Sequence, residues 1–457
     1  MALDFAILVI VFAAVIVAIV FISGILSQLT RLPRLIFYLV AGLLIGPIGL
    51  GLITPGLVLA LEGSLLKAVV GLAVAIIVFE GGYTFNRCLP HKKACTMVSY
   101  RLVLSRLLRL SLIGGLITGV LMTLLFHFVV LLPIEYAALC GVLCIITGPT
   151  VINPCVRQLR IKEEVGVALE GEGLLNDAVG VIVASVIFGW ILAESLGGFI
   201  VLPLQIGLNL GLGVLVGLMV GGLGILVARF IAPRFLERAG HRCDEANRLQ
   251  LTRIGTLIAA FLAYSLGEIV APEAGIVSVL LAGILIGNRH YFGRDYVNDV
   301  EGLNDHLEAG VHAFQSDLTR IAIAAVFILL TSILTLELLA DTLIFAPIPF
   351  AGLIVVGALM LLVRPVAVLI STIRAGFTLR ERLFMSFFGP RGIVIAATAV
   401  FVYIELLSYG IDIPLIPGYI FLIAFATVVF QAGLAPLLAR LFEVTTPKTQ
   451  NEGAPDA

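Results

Sequence analysis

The sequence predicts an all-α, multi-pass membrane protein with about thirteen transmembrane helices in two inverted-topology repeats. Three observations lead there. Hydrophobic residues fill 60% of 457 positions and charged residues only 12%, with a mean hydropathy of +1.16, far outside soluble composition. Apolar runs of the roughly 20 residues needed to cross a bilayer follow one another along nearly the whole chain. Basic residues are confined to alternate connections between those runs. The net charge of −1 says nothing about partners; what matters is where the charges sit.

In chain order the spans fall near 4–27, 35–53, 64–83, 104–131, 136–156, 164–193, 205–231, 252–270, 275–288, 319–336, 343–371, 382–404 and 416–440. The first lacks a basic leader and a small-residue cleavage pattern, so it reads as a retained helix rather than a signal peptide. Arg31 and Arg34 follow span one, Arg87, Lys92, Lys93 and Arg101 follow span three, and Arg157, Arg160 and Lys162 follow span five. Five arginines from Arg229 to Arg248 follow span seven, Arg289 and Arg294 follow nine, and Arg374 and Arg380 follow eleven. The even connections carry acids (Glu135, Glu194, Glu337, Asp341, Glu405 and Asp412) without Lys or Arg. Positive residues stay on the cytoplasmic side, which puts the N-terminus outside and the C-terminus inside a cell (inner) membrane. Residues 1–443 form the transmembrane domain, and 444–457 a short, disordered cytoplasmic tail.

Two segments match at one offset. Leu39 to Gly46 reads L-V-A-G-L-L-I-G, and Leu280 to Gly287 reads L-L-A-G-I-L-I-G. The same shift of about 241 residues carries Gly148-Pro149 of span five onto Gly389-Pro390 of span twelve. Spans two and nine run in opposite directions by the charge pattern, so the halves are related by inverted topology. Pro removes a backbone donor and Gly weakens a helix, so spans five and twelve are expected to unwind at these dipeptides. Paired breaks of this kind point to a binding site.

The chemistry sits on span six, which reads E-G-E-G-L-L-N-D-A-V-G from Glu170. A carboxylate at membrane depth is costly unless paired or wetted, and so marks an ion or proton pathway. Asp177, Glu170 and Glu163 lie seven apart, on nearly one face and about 10 Å apart along the axis. They read as an acidic funnel ending at Asp177. Glu172 and Asn176 share a different face. Arg391, in G-P-R-G beside the break of span twelve, needs a buried acid, and Glu172 is its expected partner. Arg364, in V-R-P on span eleven, reads as structural and nearer the inner side. Lys67, Arg106 and Arg109 lie near span ends and can snorkel.

The strings F-E-G-G at 79–82, I-T-G-P-T-V-I at 145–151, E-G-L-L-N-D-A at 172–178 and G-P-R-G at 389–392 together resemble the monovalent cation:proton antiporter-1 family. That family holds NhaP-type bacterial sodium/proton antiporters and the animal NHE exchangers. The resemblance implies an NhaA/NhaP-like antiporter fold in which core spans 4–6 and 11–13 move against interface spans 1–3 and 7–10, and a homodimer. It implies that Asp177 alternately holds a cation or a proton, with Asn176 as its partner in electroneutral exchange. Thr147 would add oxygen to the transported Na+ beside Asp177, Glu80 would assist near the cytoplasmic end, and Glu172 and Arg391 would form an ion bridge. Many relatives have Asp where this chain has Gly148 and Ser where it has Gly173. Both changes delete oxygen ligands, which makes K+ (or Li+) an alternative to Na+.

The expected activity is therefore secondary active exchange of a monovalent cation for H+ by alternating access at Asp177. A cation channel and a non-transporting membrane sensor are the rival readings. No nucleophile, base and metal set supports an enzyme, and neither a cofactor nor a nucleic-acid partner is expected. Cys140, Cys144 and Cys155 fall within span five and read as small buried hydrophobes. The connection 289–318, with His290, His306 and His312, reads as a solvated cytoplasmic loop or surface helix.

Overall fold

The computed structural model describes residues 2–30, 34–52, 63–84, 105–193 (except 149–150, 153–154 and 157–158), 198–227, 245–271, 274–288, 303–335, 338, 340–342, 350–413 and 415–446. Among these residues the protein is helical apart from one isolated β-bridge. In chain order the helices are α1 (Ala2–Thr30), α2 (Arg34–Ile45), α3 (Gly63–Thr84), α4 (Ser105–Val129), α5 (Ile134–Leu143), α6 (Glu163–Ala193), α7 (Gly198–Leu226) and α8 (Glu245–Val270). They continue with α9 (Ala274–Gly287), α10 (Leu303–Ile333), α11 (Ala351–Ser371), α12 (Leu379–Phe387), α13 (Ile393–Ser408), α14 (Leu415–Gln431) and α15 (Gly433–Leu441).

Seven of these helices (α1, α4, α6, α7, α8, α10 and α11) are long and apolar enough to cross a membrane, and α14 and α15 form a bent pair that also qualifies. Five shorter apolar helices lie in α2, α3, α5, α9 and α13. Outward faces carry large apolar side chains, among them Phe21 and Leu29 on α1, Leu215 and Met219 on α7, and Leu361 and Leu362 on α11. Contiguous exposed apolar surface of this kind belongs against lipid. Of the polar connection 289–318, residues 303–318 open the long α10, and 289–302 lie outside the described residues.

Small residues decide how closely these helices approach, as expected where lipid removes the usual drive for apolar surfaces to associate. A Cβ on Gly82 of the F-E-G-G string would sit 2.5 Å from the Leu280 carbonyl oxygen, and one on Gly283 would sit 2.6 Å from that of Phe79. Thus α3 and α9 touch backbone to backbone. Gly213, Gly217 and Gly221 of α7 meet α9 in the same way at Ala274, Ser278 and Ala282, and the Ser278 hydroxyl donates to the Gly213 carbonyl at 3.0 Å. The two matched strings do equivalent work. Gly42 and Gly46 seat α2 against Thr331 of α10, while Gly283 and Gly287 seat α9 against α3.

Spans five and twelve are both broken. Helix α5 ends at Leu143, with residues 146–148 non-helical, and α12 and α13 are separated by non-helical residues 388–392. Helix α12 starts at a capping box that the sequence carries as T-L-R-E. The Thr378 hydroxyl accepts from the Glu381 amide at 3.3 Å, and the Thr378 amide donates to Glu381 at 2.9 Å.

Residues 444–446, expected in a disordered tail, instead dock on the chain leading into α6. The Lys162 amide donates to the Val444 carbonyl at 2.8 Å and the Thr446 amide to the Arg160 carbonyl at 2.9 Å. Arg380 pairs with Glu443, Lys162 with Glu381 at 2.8 Å, and Phe387 stacks on Phe442. Residues 447–457 lie outside the described residues. The docking is hidden in the sequence because a three-residue backbone pairing leaves no hydropathy signal.

Partial burial alone pushes the Glu381 carboxyl up, but hydrogen bonds from Lys162 and Thr378 outweigh it and leave the carboxyl below its ordinary value of 4.5. The pair's contribution is therefore complete above pH 4.5 and is lost as pH falls through the lower folded value. Lys162 is 42% exposed, so solvent screening holds that contribution to about 1 kcal/mol or less. Lys162→Met is expected to lower the melting temperature slightly at pH 7, with the gap to wild type closing below pH 4.5. Thermal melts in detergent across that range check it; a gap that persists in acid excludes the ion pair as its cause.

Candidate functional site

Helix α6 brings Glu170, Glu172, Asn176 and Asp177 into the interior, where all four are at most 4% exposed. Glu163 is exposed at its first turn, where a carboxylate suits the positive end of the helix dipole. The seven-residue stripe thus passes from an exposed acid through buried Glu170 to buried Asp177.

Asp177 faces the break after α5. The Thr147 backbone lies beside its carboxylate, while Asp177 Oδ1 is buried without a hydrogen-bond partner. A buried carboxylate oxygen left over in this way is where a proton or a small cation fits. Asn176 is held from three sides. The Ser111 hydroxyl donates to its Oδ1 at 2.6 Å, and its Nδ2 donates to Thr147 Oγ1 at 3.3 Å and to Glu172 Oε1 at 3.4 Å.

The breaks cross backbone to backbone. Gly148 donates its amide to the Pro390 carbonyl at 3.1 Å. A Cβ on Gly148 would collide with Gly392 Cα, and one on Gly392 would collide with Gly148 Cα. Gly148 is thus the point of closest approach. By residue type it reads as a lost oxygen ligand; in this fold any side chain at 148 meets the opposite backbone. The backbone groups freed by the breaks find partners, as burial requires. The Arg391 amide donates to Thr427 Oγ1 at 3.0 Å and the Gly389 amide to Gln431 Oε1 at 3.3 Å.

The expected Glu172–Arg391 bridge is not the pair that forms. Glu172 is held by both guanidinium nitrogens of Arg364, with Nη2 at 2.8 Å from Oε2, and both side chains are at most 3% exposed. The reason is a π-helical turn, Leu359–Val363, immediately before Arg364. One extra residue in a turn rotates the helix beyond it, and here Arg364 points at α6. Arg391, fully buried, donates instead to the Ile145 and Ile146 carbonyls at 3.1 and 3.2 Å. These lie at the carbonyl end of α5, where orphan acceptors and the helix dipole both favour a cation.

Two further π-helical segments border the crossing. Arg109–Ile113 in α4 carries Ser111, and Thr427–Ala432 carries Thr427 and Gln431. Each of the three delivers polar contacts to the breaks or to the α6 motif, which is where such turns are often found. Glu80 is half-buried on α3, and its neighbour Gly81 faces Leu174 of α6, so that turn lies beside the motif. Among the described residues no group of three or more His, Cys, Asp or Glu could hold a metal ion. Cys140, Cys144 and Cys155 are buried free thiols.

A family model described as "Sodium/hydrogen exchanger, transmembrane" matches residues 15–440. The chain belongs to that exchanger family. Its relatives include Na(+)/H(+) antiporter 1 of Methanocaldococcus jannaschii, 26% identical over 373 residues, which are 77% of this chain and 80% of the relative. They also include K(+)/H(+) antiporter NhaP2 of a Shewanella species, 27% identical over 391 residues, 84% of this chain and 58% of the relative. The solved structure of the sodium proton antiporter MjNhaP1 from M. jannaschii has the same fold. Its TM-score is 0.73 at 22% identity, covering 95% of this chain and 98% of that one.

Within this exchanger-family chain, Ser111, Thr427 and Gln431 escape a reading of the sequence, being small or polar residues in otherwise ordinary apolar spans. Arg364 does carry a signal, as a guanidinium at membrane depth, but its partner depends on a helix phase that the apolar pattern does not encode.

Proposed function

We propose that the chain exchanges a monovalent cation for protons across a lipid bilayer, with Asp177 as the one group that holds either ion. The observation that carries this reading is the unpartnered, buried Oδ1 of Asp177 beside the unwound Thr147 backbone. An ionised Asp177 binds the cation; a protonated one does not. Glu172 stands outside the exchange because Arg364 neutralises it. One carboxylate trading one proton for one monovalent cation makes the exchange electroneutral. Thr147 offers oxygen beside Asp177, Asn176 steadies Thr147, Glu80 assists from α3, and Glu170 and Glu163 form the acidic approach. Arg391 keeps the crossing together.

Sodium is the cation we assign first, with lithium as a close analogue. Potassium is the second reading, supported by the likeness to K(+)/H(+) antiporter NhaP2. The basic residues of alternate connections support a cytoplasmic C-terminus and an external N-terminus. Spans 4–6 and 11–13 would move as a unit against spans 1–3 and 7–10, within a homodimer.

The test is proton flux in proteoliposomes driven by sodium, lithium or potassium gradients. Flux should saturate with the cation. Protons and cations compete for Asp177, so acid should raise the apparent KM, while strong alkalinity starves proton delivery. The rate at fixed sub-saturating cation should then be bell-shaped in pH. Cation conductance without coupled proton movement would instead establish a channel.

A further inference from the structure

A buried serine or threonine inside a helix usually donates back to a carbonyl three or four residues earlier. Thr331, Thr342 and Thr398 do this here. Ser111 does not; its hydroxyl reaches across to α6 and donates to Asn176 Oδ1 at 2.6 Å. Both residues are at most 3% exposed, so water does not substitute for the bond. The π-helical turn Arg109–Ile113 sets this aim, and Gly115 on the next turn lies beside the same amide, where a Cβ would stand 3.7 Å from Asn176 Oδ1.

The Asn176 carboxamide is fixed by chemistry at both ends. Glu172, ionised and clamped by Arg364, is an acceptor only, so it must face the NH2 group. The carbonyl oxygen must then face a donor, and Ser111 supplies it. With the amide so turned, Nδ2 reaches Thr147 Oγ1 at 3.3 Å and the Asn176 carbonyl is engaged away from Thr147. The amide nitrogen facing Thr147 has no lone pair to give a cation.

We propose that Ser111 is a positioning residue for exchange: it locks the Asn176 carboxamide so that Thr147 is held ready beside Asp177. This rests on the reading of Asp177 as the ion site. Without the Ser111 hydroxyl, Asn176 Oδ1 is a buried acceptor lacking its donor. The amide then tilts to find another, and Thr147 loses its hold. The cost falls on cation binding and so on the competition with protons.

The experiment compares S111A, S111T and S111C with wild type and D177N in proteoliposomes, using sodium and then potassium. One neutral hydrogen bond of about 1 kcal/mol corresponds to about fivefold in binding. S111A should therefore raise the cation KM by about threefold to tenfold, by a larger factor than it lowers kcat. Its acid limb should move to higher pH, because a more weakly bound cation competes less well with protons. S111T, which keeps the hydroxyl, should restore both, and S111C, a weak donor of similar size, should fall between. An S111A protein with wild-type KM and acid limb, whatever its melting temperature, overturns the proposal. So does an S111T protein as impaired as S111A while S111C matches it. Coupled flux persisting in D177N would overturn the underlying assignment of the ion site, which separates that failure from this one.

Discussion

Asp177→Asn is expected to abolish cation-driven proton flux, by at least about a hundredfold as for loss of other essential proton-transfer groups, in a protein that still folds. The side chains are the same size, and the Asn carboxamide keeps an acceptor oxygen beside the Thr147 backbone. The lost property is the ability to take up and release a proton while alternating with a cation. Folding should not suffer, because a buried carboxylate is replaced by a neutral group, which removes a desolvation cost. Gel filtration and melting in detergent check the fold, and flux with sodium, lithium and potassium checks the function. Wild-type coupled flux in this variant with any of the three ions would remove Asp177 from its proposed role.

The second large effect concerns the buried pair of Glu172 and Arg364. Both guanidinium nitrogens engage the carboxylate, out of contact with solvent. Removing one partner strands the other charge, at about 3–5 kcal/mol in soluble proteins. E172Q and R364M should each lower the melting temperature, and the E172Q/R364M double variant should recover a substantial part of the loss. E172Q combined with R391Q should show no such recovery, because Arg391 binds the Ile145 and Ile146 carbonyls. Strict additivity in the first pair, or recovery in the second, would show that the pairing described here is wrong.

Much of this arrangement is legible in the sequence. Gly-Pro dipeptides at matching places mark both breaks, because a missing donor and a flexible residue weaken a helix whatever surrounds it. The acids of α6 stand out because a carboxylate among apolar residues has so few inexpensive explanations. The glycines of the matched strings are visible as a repeat, although their use, α2 on α10 and α9 on α3, needs the packing. Partner choice is not legible. Arg364 and Arg391 are both cations deep within apolar spans, and the π-helical turn before Arg364 decides which meets Glu172. Gly148 misleads because a residue type suggests a missing ligand, when the backbone of Gly392 occupies the space a side chain would need.

The π-helical segments also bear on how a protein of this kind can change by descent. Deleting a single codon within 359–363 would restore an ordinary α register and leave the apolar character of α11 intact. Each helical residue accounts for about 100° of turn, so the deletion would swing Arg364 off Glu172 without altering any charge. Equivalent deletions in 109–113 or 427–432 would turn Ser111, or Thr427 and Gln431, away from their partners. Three single-codon surpluses, each silent in a hydropathy plot, therefore hold the phase of the site.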